Sequence, residues 1–239
     1  MKRKIGSLTG LRFVFVTLLF LHHLDMFSDL AIEGYDEIMS YFVEGSISVD
    51  FFFILSGFVV SYAYLSKMED REISSPTFLA YRLCKLYPLY LITWIGAVLI
   101  YSGKEYLLGN LCSPQFLVGL FMLQSYVPVD GFAFWGNGAA WSVSTELFFY
   151  AAFVCLVRLS RKERTNVFLF LLGIVLLNSF VVGNETPVAN WLYYIDPVFR
   201  LLDFMAGMLL YEWWAAMKLG PTNQPTNQPT NQPTNQPTN

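Results

Sequence analysis

Apolar positions in this chain come in long runs, not in the alternation of a half-buried strand or the one-sided stripe of a surface helix. The runs approach the roughly 20 residues that a helix needs to cross a bilayer core. They cover residues 8–27, 46–65, 86–101, 139–157, 167–182 and 197–214. A further candidate, 106–127, is broken by Gly109, Asn110 and Pro114. The pattern predicts an all-α, polytopic transmembrane helix bundle of six or seven spans over residues 1–219, with a separate tail over 220–239. Composition agrees. The chain is 55% hydrophobic and only 14% charged, too apolar for an ordinary soluble domain.

Charge changes the picture by setting an orientation. Lys and Arg gather at Lys2–Lys4, at Lys67, Arg71, Arg82 and Lys85, at Arg158, Arg161, Lys162 and Arg164, and at Lys218. The segment after the first run is acidic instead, with Asp29, Glu33, Asp36, Glu37 and Glu44. Basic flanks stay in the cytoplasm, so the N-terminus is expected there, with the acidic segment outside. If all the later basic clusters are inside, 106–127 is not a simple extra crossing but a short, re-entrant or half-buried piece. The alternative is seven spans with one basic cluster outside. The basic start before an apolar run resembles a signal peptide, yet no small-residue cleavage site follows, so it reads as a retained first helix. Net charge is −3, and no basic cluster suggests nucleic acid. Cys84, Cys112 and Cys155 lack metal-ligand spacing and are odd in number, which argues against a disulfide framework or a zinc site.

Candidate chemistry lies in polar residues that the apolar runs make expensive. Arg12 and His23 are about three helical turns apart, so they share a face roughly 16 Å apart along the axis. His22 points about 100° away from that face. The pair would place a permanent cation near one end and a group that titrates near neutral pH further along. The plainer reading is a snorkelling arginine and a hydrogen-bonded histidine. Glu146 lies inside another run with Ser142 and Tyr150 four residues either side, hence on its face. A carboxylate there must be neutral, paired or open to a wet cavity. Arg82 and Lys85 precede the third run. They are either ordinary cytoplasmic flanks or a landing site for an anionic cofactor such as a nucleotide phosphate. Pro88 falls near the start of that span. Asp50 is an interfacial carboxylate or a partner for an arginine. Ser56-Gly57 suggests a close helix–helix contact. Arg200 and Asp203 can form an internal ion pair.

Together these residues resemble the integral membrane acyltransferase-3 family. The resemblance rests on Leu8-Thr9-Gly10-Leu11-Arg12 with His23 after it, and on Val49-Asp50-Phe51-Phe52-Phe53-Ile54-Leu55-Ser56-Gly57-Phe58. It continues through Arg82-Leu83-Cys84-Lys85-Leu86-Tyr87-Pro88, Trp141-Ser142 with Glu146 and Phe149-Tyr150, and Phe199-Arg200 through Gly207-Met208. It implies a multi-pass protein of the bacterial inner membrane that transfers an acyl group, expected to be acetyl. The donor would be acyl-coenzyme A, bound as a substrate with no permanently held cofactor and no metal. The acceptor would be a carbohydrate or lipid-linked glycan, such as lipopolysaccharide. By this resemblance His23, Glu146 and Arg12 are the expected catalytic residues, with Arg82, Lys85 and Arg12 binding the donor. Lys85 stands where the family has a second arginine. It keeps the charge but not the bidentate geometry. Family members carry more spans than this chain, so an incomplete domain and an inactive form are expected.

From Pro221 the chain repeats Pro-Thr-Asn-Gln and carries no apolar residue, so a disordered tail is expected. The four-base unit CCAA, read in triplets, encodes that repeat in every frame. A slipping tract and a phase-variable gene are therefore expected. The competing functions are a transporter or channel component, whose buried charges would line a solute path, and a non-catalytic remnant.

Overall fold

A computed structural model describes residues 6–23, 47–129, 131–181, 189 and 191–219. The described chain is all helix and turn. Helix α1 is Gly6–His23, α2 Ile47–Glu69, α3 Ser75–Gly109, α4 Pro114–Leu120, α5 Ala140–Leu156, α6 Arg161–Val181 and α7 Pro197–Leu219. A 3₁₀ turn at Gln124–Tyr126 follows α4, and a π-helical turn at Trp191–Ile195 precedes α7. The acidic segment after α1, Lys2–Lys4 and the repeat tail lie outside the described residues.

Four helical stretches are long and apolar enough to cross a membrane: Gly6–His23, Ile47–Glu69, Ser75–Ile100 and Arg161–Val181. Of the six or seven spans expected from the sequence, four among the described residues are thus long and apolar enough, and α5 and α7 fall short of that measure for two physical reasons. Helix α5 is apolar but has only 17 residues. Helix α7 has the length, but Arg200, Asp203, Glu212 and Lys218 interrupt its apolar character.

Helices α2 and α7 make the tightest seam, and they run parallel. Asp50 meets Arg200 at one end, and Tyr62 meets Trp214 towards the other. Two glycines set the spacing. A methyl group on Gly57 would overlap the Phe204 carbonyl, and one on Gly207 would overlap the Ile54 carbonyl. Small residues let backbones approach this closely. Phe53, Phe149, Phe153, Phe204, Met205 and Met208 fill the core beside the seam.

The basic clusters among the described residues lie towards one end of the bundle. Arg164, at the start of α6, reaches Glu69 at the end of α2 and Glu212 near the end of α7. Helix α3 therefore leaves that end and α5 returns to it, so 106–127 does not cross but folds back beside the middle of α3. Its backbone shows why. Gly103 has φ 81° and kinks α3, and Ser113 caps the short α4 by accepting from the Phe116 N–H. The broken piece is then tied down. Tyr87 donates to the Leu120 carbonyl at 3.0 Å, Tyr90 to the Gly119 carbonyl at 2.5 Å, and Ser144 to the Met122 carbonyl at 2.7 Å.

Helix α3 begins earlier than the apolar run suggests. Ser74 caps it with an acceptor oxygen for Thr77 N–H. Arg82, Lys85 and Pro88 therefore lie within the helix and not ahead of it, and Pro88 is not near its start. Pro88 costs one backbone hydrogen bond there. An i→i+4 ladder runs through polar termini that a hydropathy pattern does not register.

Candidate active site

A cavity of about 330 Å³ opens between α1, α2, α3 and α5. Its polar lining is Arg12 from α1, Ser56 from α2, Arg82 and Lys85 from α3, and Ser142, Glu146 and Tyr150 from α5. Four of the five site residues expected from the sequence meet here. The fifth, His23, does not line the cavity.

Glu146 is held by neutral donors. Ser56 Oγ donates to Glu146 Oε1 at 2.9 Å, and the Tyr150 hydroxyl donates to the same oxygen. Tyr150 is one turn away on the same helix, as the i,i+4 spacing requires. Ser56 and Gly57 divide their work because adjacent helical residues face about 100° apart. Gly57 supplies the close contact with α7, while Ser56 turns to the carboxylate. Sequence reasoning had read the pair as packing alone and missed Ser56 as a site residue.

Arg82 is 8% exposed and sits among aromatic faces. Its guanidinium carbon lies 4.6 Å from the Tyr64 ring centre, 5.6 Å from Phe78 and 5.1 Å from Tyr150. Its Nε has no hydrogen-bond partner. Among the described residues, Arg12, Arg82 and Lys85 form no ion pair. Three cations thus border one cavity around one carboxylate. Such a surplus of unpaired positive charge in a partly desolvated space favours an anionic occupant.

The position of His23 follows from how α1 packs. Phe15 stacks on Phe51 with ring centres 3.7 Å apart. Arg12, one turn before that contact on α1, lines the cavity together with Ser56 of α2. Leu19 is the last α1 residue that lines the cavity, and His23 lies one turn, about 6 Å, beyond it along α1. The His23 ring is exposed, and its Nδ1 donates to the Leu19 carbonyl at 2.8 Å. In the neutral imidazole that leaves Nε2 as the basic nitrogen. The adjacent His22 ring is edge-on to it, with centres 5.5 Å apart.

Arg200 lies outside the cavity. Its Nη1 meets Asp50 Oδ1 at 2.5 Å and Asp203 Oδ2 at 3.2 Å, and its Nε donates to the Tyr194 carbonyl at 2.8 Å. Both partners raised by the sequence are used at once. The three cysteines are free and exposed.

The motif order, the helix bundle and the cation-lined cavity converge with a match between residues 5–219 and the model of the acyltransferase domain, acyltransferase-3. The chain belongs to that family. A second model, described as a PT disordered repeat, matches residues 219–239. Among curated relatives, the chain is 30% identical over 230 residues to Acyltransferase MdmB of Streptomyces mycarofaciens, covering 87% of this chain and 57% of that protein. It is 28% identical over 185 residues to Exopolysaccharide production protein ExoZ of Rhizobium meliloti (strain 1021), covering 76% and 55%. Over 63 residues it is 40% identical to Protein 2 in picA locus of Rhizobium radiobacter, covering 26% and 32%. The chain spans little more than half the length of the first two relatives. No solved structure matches it.

Proposed function

We propose that this protein transfers an acetyl group from acetyl-coenzyme A to a hydroxyl of a cell-envelope carbohydrate, with lipopolysaccharide the leading acceptor. The observation that carries this is the cavity, where Arg12, Arg82 and Lys85, with no ion pair among the described residues, line the same space as Glu146. Family membership supports the reaction class. The relative named for exopolysaccharide production supports a glycan acceptor. The protein sits in the bacterial inner membrane with its N-terminus and basic end in the cytoplasm, where the donor is made.

The cavity cations hold the donor diphosphate. His23, roughly 16 Å further along α1 from Arg12, is within reach of an extended pantetheine arm. Its Nε2 takes the acceptor hydroxyl proton as general base. The hydroxyl oxygen then bonds to the thioester carbonyl carbon, the C–S bond breaks, and coenzyme A leaves as the thiol with that proton. A transient acyl-histidine serves the same end in two steps. A second reading has its own support: Glu146 lies in the cavity and His23 does not, so Glu146 itself can be the base.

The test is acetyl transfer from labelled acetyl-coenzyme A in membranes carrying the protein. Loss of transfer in His23→Ala, with His22→Ala still active, supports the histidine base. An active His23→Ala together with an inactive Glu146→Gln moves the role to Glu146. Retained transfer in both variants overturns the site. The Pro-Thr-Asn-Gln tract supports one further element, phase-variable expression. Tract lengths that differ between single colonies support it, and one fixed length opposes it.

A further inference from the structure

A second cavity, of about 860 Å³, lies at the basic end between the α2–α3 turn and the α5–α6 turn. Arg71 enters it from the first turn and Arg158 from the second. Both are exposed, and neither forms an ion pair among the described residues. The one acid lining the cavity, Glu69, is occupied by Arg164 at 3.2 Å. The space is therefore cationic, and its size is that of a pocket for a nucleotide-sized ligand.

Its position relative to the first cavity is fixed independently by three helices. Met68 lies two turns beyond Val60 on α2, about 12 Å. Ser75 lies about 10 Å before Arg82 on α3, and Val157 about 10 Å beyond Tyr150 on α5. The two cavities are thus stacked, with the Arg71–Arg158 cavity nearer the surface. Phe78 and Phe153 are fully buried between them, whereas Tyr64 is only half-buried and floors the Arg82 site. A ligand that engages both would pass on the Tyr64 side.

Arg71 carries a second oddity. Its φ is 60°, the left-handed conformation in which a helix usually ends on glycine or asparagine. The turn closes around it, with Glu72 N–H donating to the Lys67 carbonyl at 2.8 Å. Arginine is a costly choice for that backbone, so the side chain is the reason to look for a ligand.

We infer that the Arg71–Arg158 cavity binds the ribose phosphomonoester of the donor nucleotide, while Arg82 in the stacked cavity meets its diphosphate. This rests on the reading of the donor as acyl-coenzyme A. It adds a site that discriminates coenzyme A from the same molecule lacking the ribose phosphate. The dianionic monoester suits two arginines that can each offer paired N–H donors.

The experiment compares binding of coenzyme A and dephospho-coenzyme A to the full chain in phosphatidylcholine nanodiscs. The expected result is at least tenfold tighter binding of coenzyme A. Arg71→Gly and Arg158→Gln each erase most of that preference and leave dephospho-coenzyme A affinity unchanged. Arg71→Gly suits the left-handed backbone, so its unfolding temperature is expected to hold or rise, which separates lost binding from lost folding. Equal affinity for the two ligands in the unaltered protein overturns the inference while leaving the donor reading intact. No binding of either ligand overturns both. Loss of the preference when phosphatidylglycerol is added to the nanodiscs assigns the cavity to a lipid headgroup and also overturns it.

Discussion

Arg164 and Arg82 are both buried arginines, 4% and 8% exposed, and the protein treats them in opposite ways. Arg164 is ion-paired, although its Nε, like that of Arg82, has no hydrogen-bond partner. It pairs with Glu212 and Glu69, and its Nη1 donates to the Leu156 and Leu159 carbonyls at 3.3 and 2.6 Å. Arg82 faces three aromatic rings and forms no ion pair among the described residues. Aromatic faces attract a cation but do not neutralise it. The first arrangement closes a seam between α2, α6 and α7. The second keeps a charge available in a cavity. Arg200 belongs with Arg164, since two carboxylates answer it. Arg12 and Lys85 belong with Arg82. Paired cations build the bundle, and those without an ion pair among the described residues line the candidate site.

The largest effect is expected where the structural half has no slack. Gly57→Leu would drive a side chain into the Phe204 backbone, and neither parallel helix can retreat without breaking the Asp50–Arg200 contact. Size-exclusion chromatography in detergent should show loss of the monodisperse folded protein. A well-behaved Gly57→Leu protein would mean that the α2–α7 seam does not set the bundle.

Arg164→Ala comes next. Removing Arg164 leaves the buried Glu212 with only the longer 3.9 Å contact to the exposed Arg161, at a cost approaching the roughly 3–5 kcal/mol of a broken buried pair. Arg164→Met with Glu212→Leu should recover much of that loss, because the charges left without a partner, Glu69 and Arg161, are exposed. Chemical or thermal unfolding of the single and double variants reads this directly. A single variant as stable as the parent would place Arg164 in the same class as Arg82 and dissolve the contrast.

These two classes were unequally legible in the sequence. The i,i+4 face of Glu146 and Tyr150, the Arg200–Asp203 spacing and the break in 106–127 are local, and local geometry carries them. The Arg164–Glu212 pair joins helices far apart in sequence, and Arg164 hides in a run of flanking basic residues that topology alone explains. The cage around Arg82 draws Tyr64, Phe78 and Tyr150 from three helices, so no spacing announces it. His23 shares a face with Arg12, as its spacing requires. Its distance from Glu146 depends on the register of α1 against α2, which the stacking of Phe15 on Phe51 sets. A family motif names residues without fixing such a register.

A smaller effect should separate positioning from pairing inside the cavity. Tyr150→Phe keeps the ring over which Arg82 lies and removes the hydroxyl that donates to Glu146. A lost hydrogen bond of this kind is worth about 1 kcal/mol, or up to about 3 with a charged acceptor. Donor affinity should be unchanged and the turnover number reduced. A fall in donor affinity instead would show that the hydroxyl, and not the ring, supports Arg82.

The most direct measurement is coenzyme A affinity of the full chain in nanodiscs for Arg82→Gln beside Arg200→Gln, with unfolding temperature recorded for both. The account predicts opposite outcomes. Arg82→Gln should weaken binding at least tenfold and leave the unfolding temperature nearly unmoved. Arg200→Gln should lower the unfolding temperature and leave the folded fraction binding normally. Unchanged affinity in Arg82→Gln, or an equal loss in both variants, would contradict the claim that unpaired cations mark the site.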